Sequence, residues 1–204
     1  MIITHTGAGP ADWPDVFGLP DFGIPLPRAG SAPGADLERD LERTIAALAP
    51  GETLSVVLVG LDGFEALTRS HGRRWADRQL HAVAAALRGF AGEQRLLGPY
   101  RLGALTFATV APTELDEACA IAAAMWRRVD RISAELTVNL GVADLDPAHC
   151  ADALSLVIAA EAALDQARAL ATAGGDGLII AAAESGSGAR WLATRATTRL
   201  SLSA

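Results

Sequence analysis

An α/β fold, a sheet that contains a hairpin with helices packed against it, is predicted by three features of the 204-residue sequence. Leu54–Asp62 (LSVVLVGLD) is apolar almost without alternation, as suits a strand covered on both faces. Several longer segments repeat apolar residues at the three-and-four spacing of one helix face. Two short β-prone runs, residues 100–102 and 105–110, are separated by Gly103-Ala104 alone, a connection of hairpin length.

The elements follow in order. Residues 1–35 carry Pro10, Pro14, Pro20, Pro25, Pro27 and Pro33 among glycines and read as an irregular arm. Leu37, Leu41, Ile45 and Leu48 predict a helix over 36–48, ended by Pro50-Gly51. The strand Leu54–Asp62 belongs at the centre of the sheet. Ala76, Leu80, Val83, Ala84 and Leu87 predict a helix from Arg74 that Gly89 stops. After the hairpin, Thr113 is placed to cap a helix whose stripe is Leu115, Ala118, Cys119, Ala122, Trp126 and Val129. Leu136, Val138, Leu140 and Val142 alternate with Thr137, Asn139 and Gly141, which predicts a strand. An Ala-rich helix over 152–171 leads through Gly174-Gly175-Asp176-Gly177 to a short strand over 178–180. ESGSG then opens a flexible tail, 184–204, with Arg190, Arg195 and Arg199; within it Trp191 and Leu192 are candidate partner anchors, since aromatics and Arg dominate interfaces.

Composition bounds the function. Acidic residues number 24 against 17 basic, a net charge of −7, and half the residues are hydrophobic, which describes one soluble domain and disfavours nucleic acid or an anionic membrane as partner. All 17 basic residues are arginine, so a Schiff-base lysine and a P-loop lysine are excluded. Cys119 and Cys150 read as buried reduced thiols of a cytoplasmic protein, and neither an export signal nor a long apolar run is present. His5, His71, His81 and His149 share no metal-ligand spacing, so no metal site is expected from them. Trp75, Trp126, Phe64 and Phe107 fall on core-facing positions.

The succession LSVVLVGLDGFEAL, HGRRWADRQLHAVAAAL, YRLGALTFATV, LTVNLGVA and AEAALDQAR resembles, in order, spacing and element type, the GGDEF (diguanylate cyclase) family; VFGLPDF at 16–22 is similar to the segment that opens that domain. The resemblance spans roughly 14–181. It implies a nucleotide-cyclase palm-like fold, an α+β sandwich whose central, mostly antiparallel five-stranded sheet is flanked by helices. The GGDEF-like domain would occupy 36–183, between an N-terminal arm over 1–35 and the tail over 184–204.

The family condenses two GTP molecules into cyclic di-GMP, one GTP per half of a dimer, on divalent cations held by carboxylates. At the positions this resemblance aligns, Gly60 replaces the first acid of the D-x-D on the central strand. The hairpin reads Gly103, Ala104, Leu105, Thr106, Phe107, so Leu105 and Thr106 stand for the two acids of the signature. Asp62 remains, on the same strand face as Gly60 if the strand is regular; its structural reading is a strand end bonded into the following turn. Glu65 stands for a phosphate-contacting Lys, Thr68 for a guanine-contacting Asn and Arg168 for a late Lys, whereas Asp77 and Arg101 match. The structural reading makes Asp77 a first-turn helix acid and Arg101 a solvated strand end. The product-inhibition R-x-x-D is replaced by Gln94, Arg95, Leu96 and Leu97.

These departures imply a degenerate domain that is not an enzyme and takes no cofactor or metal, acting as a regulatory protein-protein interaction module in bacterial signalling. Its protein partner is not identified by the sequence, and homodimerisation is compatible with the family. The alternative is a guanine-nucleotide sensor, for GTP or cyclic di-GMP, built on Asp77, Arg101 and Arg168.

Overall fold

The run of apolar residues from Leu54 forms the strand β1 (Leu54–Asp62), buried at every position from Leu54 to Leu61 because it is paired on both edges and covered on both faces. The computed structural model describes residues 34–145, 152–172, 178–185 and 191–196. Around β1 the chain forms α1 (Ala35–Ala47), α2 (Phe64–His71), α3 (Arg73–Gln94), β2 (Leu97–Arg101), β3 (Thr106–Ala111), α4 (Leu115–Asp130), β4 (Thr137–Leu145), α5 (Ala153–Thr172), β5 (Leu178–Ser185) and β6 (Trp191–Ala196). The arm over 1–33, Cys150 and the turn over 173–177 lie outside the described residues.

The strands form one sheet in the order β2-β3-β1-β4-β5-β6. The four strands β2, β3, β1 and β4 are successively antiparallel, with Gly60 opposite Thr106 on one side and Asn139 on the other. The parallel strand β5 is reached through α5, and β6 returns antiparallel to it. The fold is therefore the expected helix-flanked, mostly antiparallel sheet, but with six strands where five were expected. The additional strand comes from the segment read as a flexible tail, where Trp191–Ala196 pairs with Leu178–Ala183. Its Gly/Ser-rich approach hides a strand whose pairing partner is itself the last element of the domain.

The strand period divides the core into two layers. Val57, Val59 and Leu61 point to α2, α3 and α4, joining Phe64, Leu80, Leu87, Phe90, Met125 and Phe107. Leu54, Val56 and Leu58 point to α1 and α5, joining Leu37, Leu41, Leu156 and Leu164. Each such leucine or phenylalanine contributes about 1.5–3 kcal/mol when withdrawn from water. Trp75 and Trp126 pack against the first layer while partly exposed.

Two helix ends differ from expectation. Gly89 does not stop α3, because Phe90 and Ala91 continue its buried stripe for another turn. The helix ends instead at Arg95, in the left-handed conformation at φ 56°, where the Leu96 N–H donates to the Ala91 carbonyl at 2.9 Å. At α4 the N-cap is Glu114, and the Thr113 hydroxyl donates to the Glu117 carboxylate rather than capping the backbone.

Candidate functional site

The site stands at the C-terminal end of β1, where strand alternation puts Gly60 and Asp62 on the α5 face, as their spacing predicts. What brings α5 there is Gly141 on β4, opposite Leu58. A β-carbon at Gly141 would lie 2.4 Å from the Ala160 carbonyl oxygen and 2.4 Å from the Leu164 nitrogen, so the helix backbone rests directly on the strand. Leu164 then covers Gly60, and Arg168, one helical turn on, reaches the strand end.

Asp62 is not bonded into the following turn. Its Oδ1 accepts from Arg168 Nε at 3.0 Å and its Oδ2 from Asn139 Nδ2 at 2.7 Å. Arg168 Nη1 also donates to Asp165 at 3.2 Å, an i, i+3 pair on the helix surface. The third guanidinium nitrogen lies over Gly60: a β-carbon there would meet Nη2 at 2.6 Å and Cζ at 3.3 Å. Asn139, read from the sequence only as the polar half of an alternation, is 3% exposed and belongs to this cluster. A buried asparagine inside TVNLGVA was the signal available, since such an amide requires a partner.

The hairpin is organised by Arg101, which is 6% exposed and not a solvated strand end. Its Nε donates to the Gly103 carbonyl at 2.9 Å and its Nη2 to the Ala104 carbonyl at 3.0 Å. Burial pushes the guanidinium below its ordinary pKa. Leu105 packs against the α3–α4 layer, Phe107 is buried in it, and Thr106 pairs with Gly60. The hairpin thereby presents backbone and apolar side chains at the strand end, with no carboxylate among residues 101–107.

Asp77 lies beyond the first turn of α3, half-buried, on the opposite sheet layer from Arg168. No hydrogen bond or ion pair joins Asp77 to Arg101 or Arg168 among the described residues, so the three candidate nucleotide contacts are not assembled by mutual contact. The Thr68 hydroxyl donates back to the Phe64 carbonyl at 2.8 Å, and Glu65 is exposed, 3.9 Å from Arg69. His71, at the end of α2, stacks on Trp75 with ring centroids 4.6 Å apart and pairs with Glu135 at 2.9 Å. Cys119 is a half-buried free thiol, which burial pushes up to about 11. Trp191 and Leu192 stand on β6 opposite Ala183 and Ala182. Large apolar side chains are exposed at Leu154 and Ile158, one turn apart on α5, and at Leu97. Among the described residues no helix is long and apolar enough to cross a membrane.

Comparison with known proteins gives a consistent picture. A family model described as diguanylate cyclase, GGDEF domain, matches residues 35–174. Among solved structures, a sensory box/GGDEF family protein from Caulobacter crescentus is 26% identical, covering 66% of this chain and 90% of the other with a TM-score of 0.51. The GGDEF domain of DgcB from Caulobacter crescentus in complex with c-di-GMP is 21% identical over 66% of this chain and 81% of the other, TM-score 0.53. Diguanylate cyclase SiaD in complex with its activator SiaC, from Pseudomonas aeruginosa, is 21% identical over 79% of this chain and 60% of the other, TM-score 0.57. No curated protein matches.

These matches correct one expectation from the sequence. The chain was read as not an enzyme, whereas the model that covers most of it is that of an enzyme family, the diguanylate cyclases. The divalent cation used by that family is a separate question, answered by the donors. Asp62 has both oxygens engaged by protein groups, Gly60 offers none, and the hairpin offers an apolar side chain and a hydroxyl. No group of three His, Cys, Asp or Glu able to hold a metal occurs among the described residues. A hard cation needs several oxygen ligands, so this cluster does not fit one.

Proposed function

Because the chain belongs to the GGDEF-domain family of diguanylate cyclases, matched over residues 35–174, we propose that it works in bacterial cyclic di-GMP signalling, in the cytoplasm, as a regulatory protein-protein interaction module. The observation that carries this reading is the mutual satisfaction of the charged groups at the strand end. Asp62 is held by Arg168 and Asn139, and Arg101 by the hairpin carbonyls. Asp62, Arg101 and Arg168 are thereby engaged inside the protein, which favours recognition through the surface.

That surface offers anchors of the usual kind. Leu154 and Ile158 expose more than half of their area on one helix face, and the sequence adds Trp191 and Leu192, which lie on β6. A solved structure of this fold, SiaD, holds an activator protein. A second reading, a guanine-nucleotide sensor using Asp77, Arg101 and Arg168, is favoured by the DgcB domain, whose structure holds c-di-GMP.

Replacing the chromosomal copy by variants and measuring cellular cyclic di-GMP separates the two. The interaction module predicts that Leu154→Ser/Ile158→Ser and Trp191→Ala/Leu192→Ala reproduce the deletion phenotype while Asp77→Ala leaves the wild-type level. The reverse pattern, with calorimetric GTP or cyclic di-GMP binding abolished by Asp77→Ala, establishes the sensor instead.

A further inference from the structure

We infer that Arg168 is the built-in cation of this site: its guanidinium, seated over Gly60 and tied to Asp62, takes the place of a divalent ion and closes the strand end to one. The placement follows from three successive contacts on α5. Gly141 lets the helix backbone rest on β4, Leu164 Cδ1 lies 3.2 Å from where a Gly60 β-carbon would stand, and Arg168 covers the remaining space.

Gly60 and Arg168 are interdependent. Nη2 would lie 2.6 Å from a Gly60 β-carbon, so any side chain at position 60 would require the guanidinium tip to move from its present seat. A carboxylate at position 60 would displace the guanidinium from this seat and offer it a second ion-pair partner beside Asp62. Gly60 accordingly does more than omit a ligand: its missing side chain is the seat of the cation.

Asp62 completes the exclusion. With Nε at 3.0 Å on Oδ1 and the Asn139 amide at 2.7 Å on Oδ2, the carboxylate has each oxygen bound before any ion arrives. An incoming divalent cation would have to compete with these bonds for the carboxylate while approaching a like charge, and Coulomb repulsion between the two rises as one over their separation. Asp165, whose Oδ1 is bonded by Arg168 Nη1 at 3.2 Å, shares the same guanidinium on the helix surface. Arginine suits this role because its planar fork reaches both carboxylates and the glycine at once. A lysine has a single ammonium and cannot span the three positions.

The experiment uses Mn²⁺ as the probe on the full chain, with paramagnetic broadening of backbone amide signals as the readout. In the wild-type protein Mn²⁺ leaves the signals of residues 60–62 and Asn139 as sharp as those of α4. In Arg168→Met, which removes the charge and keeps the chain length, the same residues broaden at Mn²⁺ concentrations that leave the wild type unaffected. Gly60→Asp combined with Arg168→Met, which adds a carboxylate beside Asp62 and removes the guanidinium, produces one saturable site by calorimetry that Asp62→Asn removes. Selective broadening of residues 60–62 in the wild type, at the concentrations that affect Arg168→Met, overturns the inference. So does an Arg168→Met protein, folded by its amide spectrum, that shows no more broadening there than the wild type.

Discussion

Leu164 rests on Gly141 with no space for a side chain between them: a β-carbon on Gly141 would stand 2.4 Å from the Leu164 nitrogen and 2.8 Å from its Cα. Both obstacles are backbone atoms of a helix, which cannot swing aside as a side-chain tip can. Gly141→Ala must lift α5 from β4 and open the layer that holds Leu156, Ala160 and Leu164. The expected loss is about 3 kcal/mol, at the upper end of overpacking costs. Urea unfolding measures it, and a loss below about 1 kcal/mol would mean that the helix does not sit on the strand as described.

Gly89 gives the opposite case. It lies in the interior of α3, exposed, and a β-carbon there meets nothing within 4 Å. Glycine in a helix interior costs about 0.5–1 kcal/mol relative to alanine through the freedom it has when unfolded. Gly89→Ala should therefore raise the free energy of unfolding by about 0.5–1 kcal/mol and the unfolding midpoint with it. An unchanged or lowered midpoint would show that the helix breaks at this residue, as the sequence alone indicates.

That reversal shows where local signals stop. The apolar run of β1, the hairpin and the alternation of β4 were legible because burial on both faces, a short connection and a period of two each leave a mark within a few residues. Gly89 was misread because a helix-stop residue counts for less than the buried Phe90 and Ala91 beyond it. The departures at Gly60, Leu105 and Thr106 could be read only through resemblance to a family. What replaces the missing groups could not be read at all, since Arg168 lies 106 positions from the Asp62 it bonds and Asn139 lies 77. Those contacts exist only once strand register and the seat of α5 on Gly141 are fixed.

Tyr100 ties β2 to α1, its hydroxyl donating to Asp40 Oδ2 at 2.6 Å. The bond holds the Asp40 carboxyl below its ordinary 3.8, while burial first, and then the bond to Asp40, push the phenol well above its ordinary 10. For Asp40 the folded value is the lower one, so its stabilisation is complete above the unfolded pKa and fades as pH falls through the folded one. For Tyr100 the folded value is the higher one, so its stabilisation is present below pH 10 and lost as pH rises above it. Tyr100→Phe should cost about 1 kcal/mol at neutral pH, a typical value for one hydrogen bond at a partly exposed pair. The difference from wild type should shrink as the solution is acidified through the Asp40 titration. A gap that stays constant under acid would place the hydroxyl's contribution elsewhere.

Arg101 supports the hairpin through two bonds that a lysine cannot reproduce, because Nε and Nη2 leave one plane at fixed angles toward the Gly103 and Ala104 carbonyls. At 6% exposure, a lysine ammonium in its place would be buried with at most one of those carbonyls in reach. Arg101→Lys should therefore destabilise the protein by about 2–3 kcal/mol, the usual cost of breaking charge-assisted bonds to a buried group. The loss should also be localised. The Leu102 N–H donates to the Thr106 carbonyl and the Leu61 N–H to the Leu105 carbonyl, so both amides depend on the hairpin's closure. Hydrogen exchange at Leu61 and Leu102 should accelerate more than exchange at the centre of β1, where Val57 and Leu58 are paired on both sides without help from the hairpin. Uniform acceleration across β1 would instead make Arg101 a contributor to global stability alone, and would detach the hairpin's order from the strand end where Gly60, Asp62 and Arg168 meet.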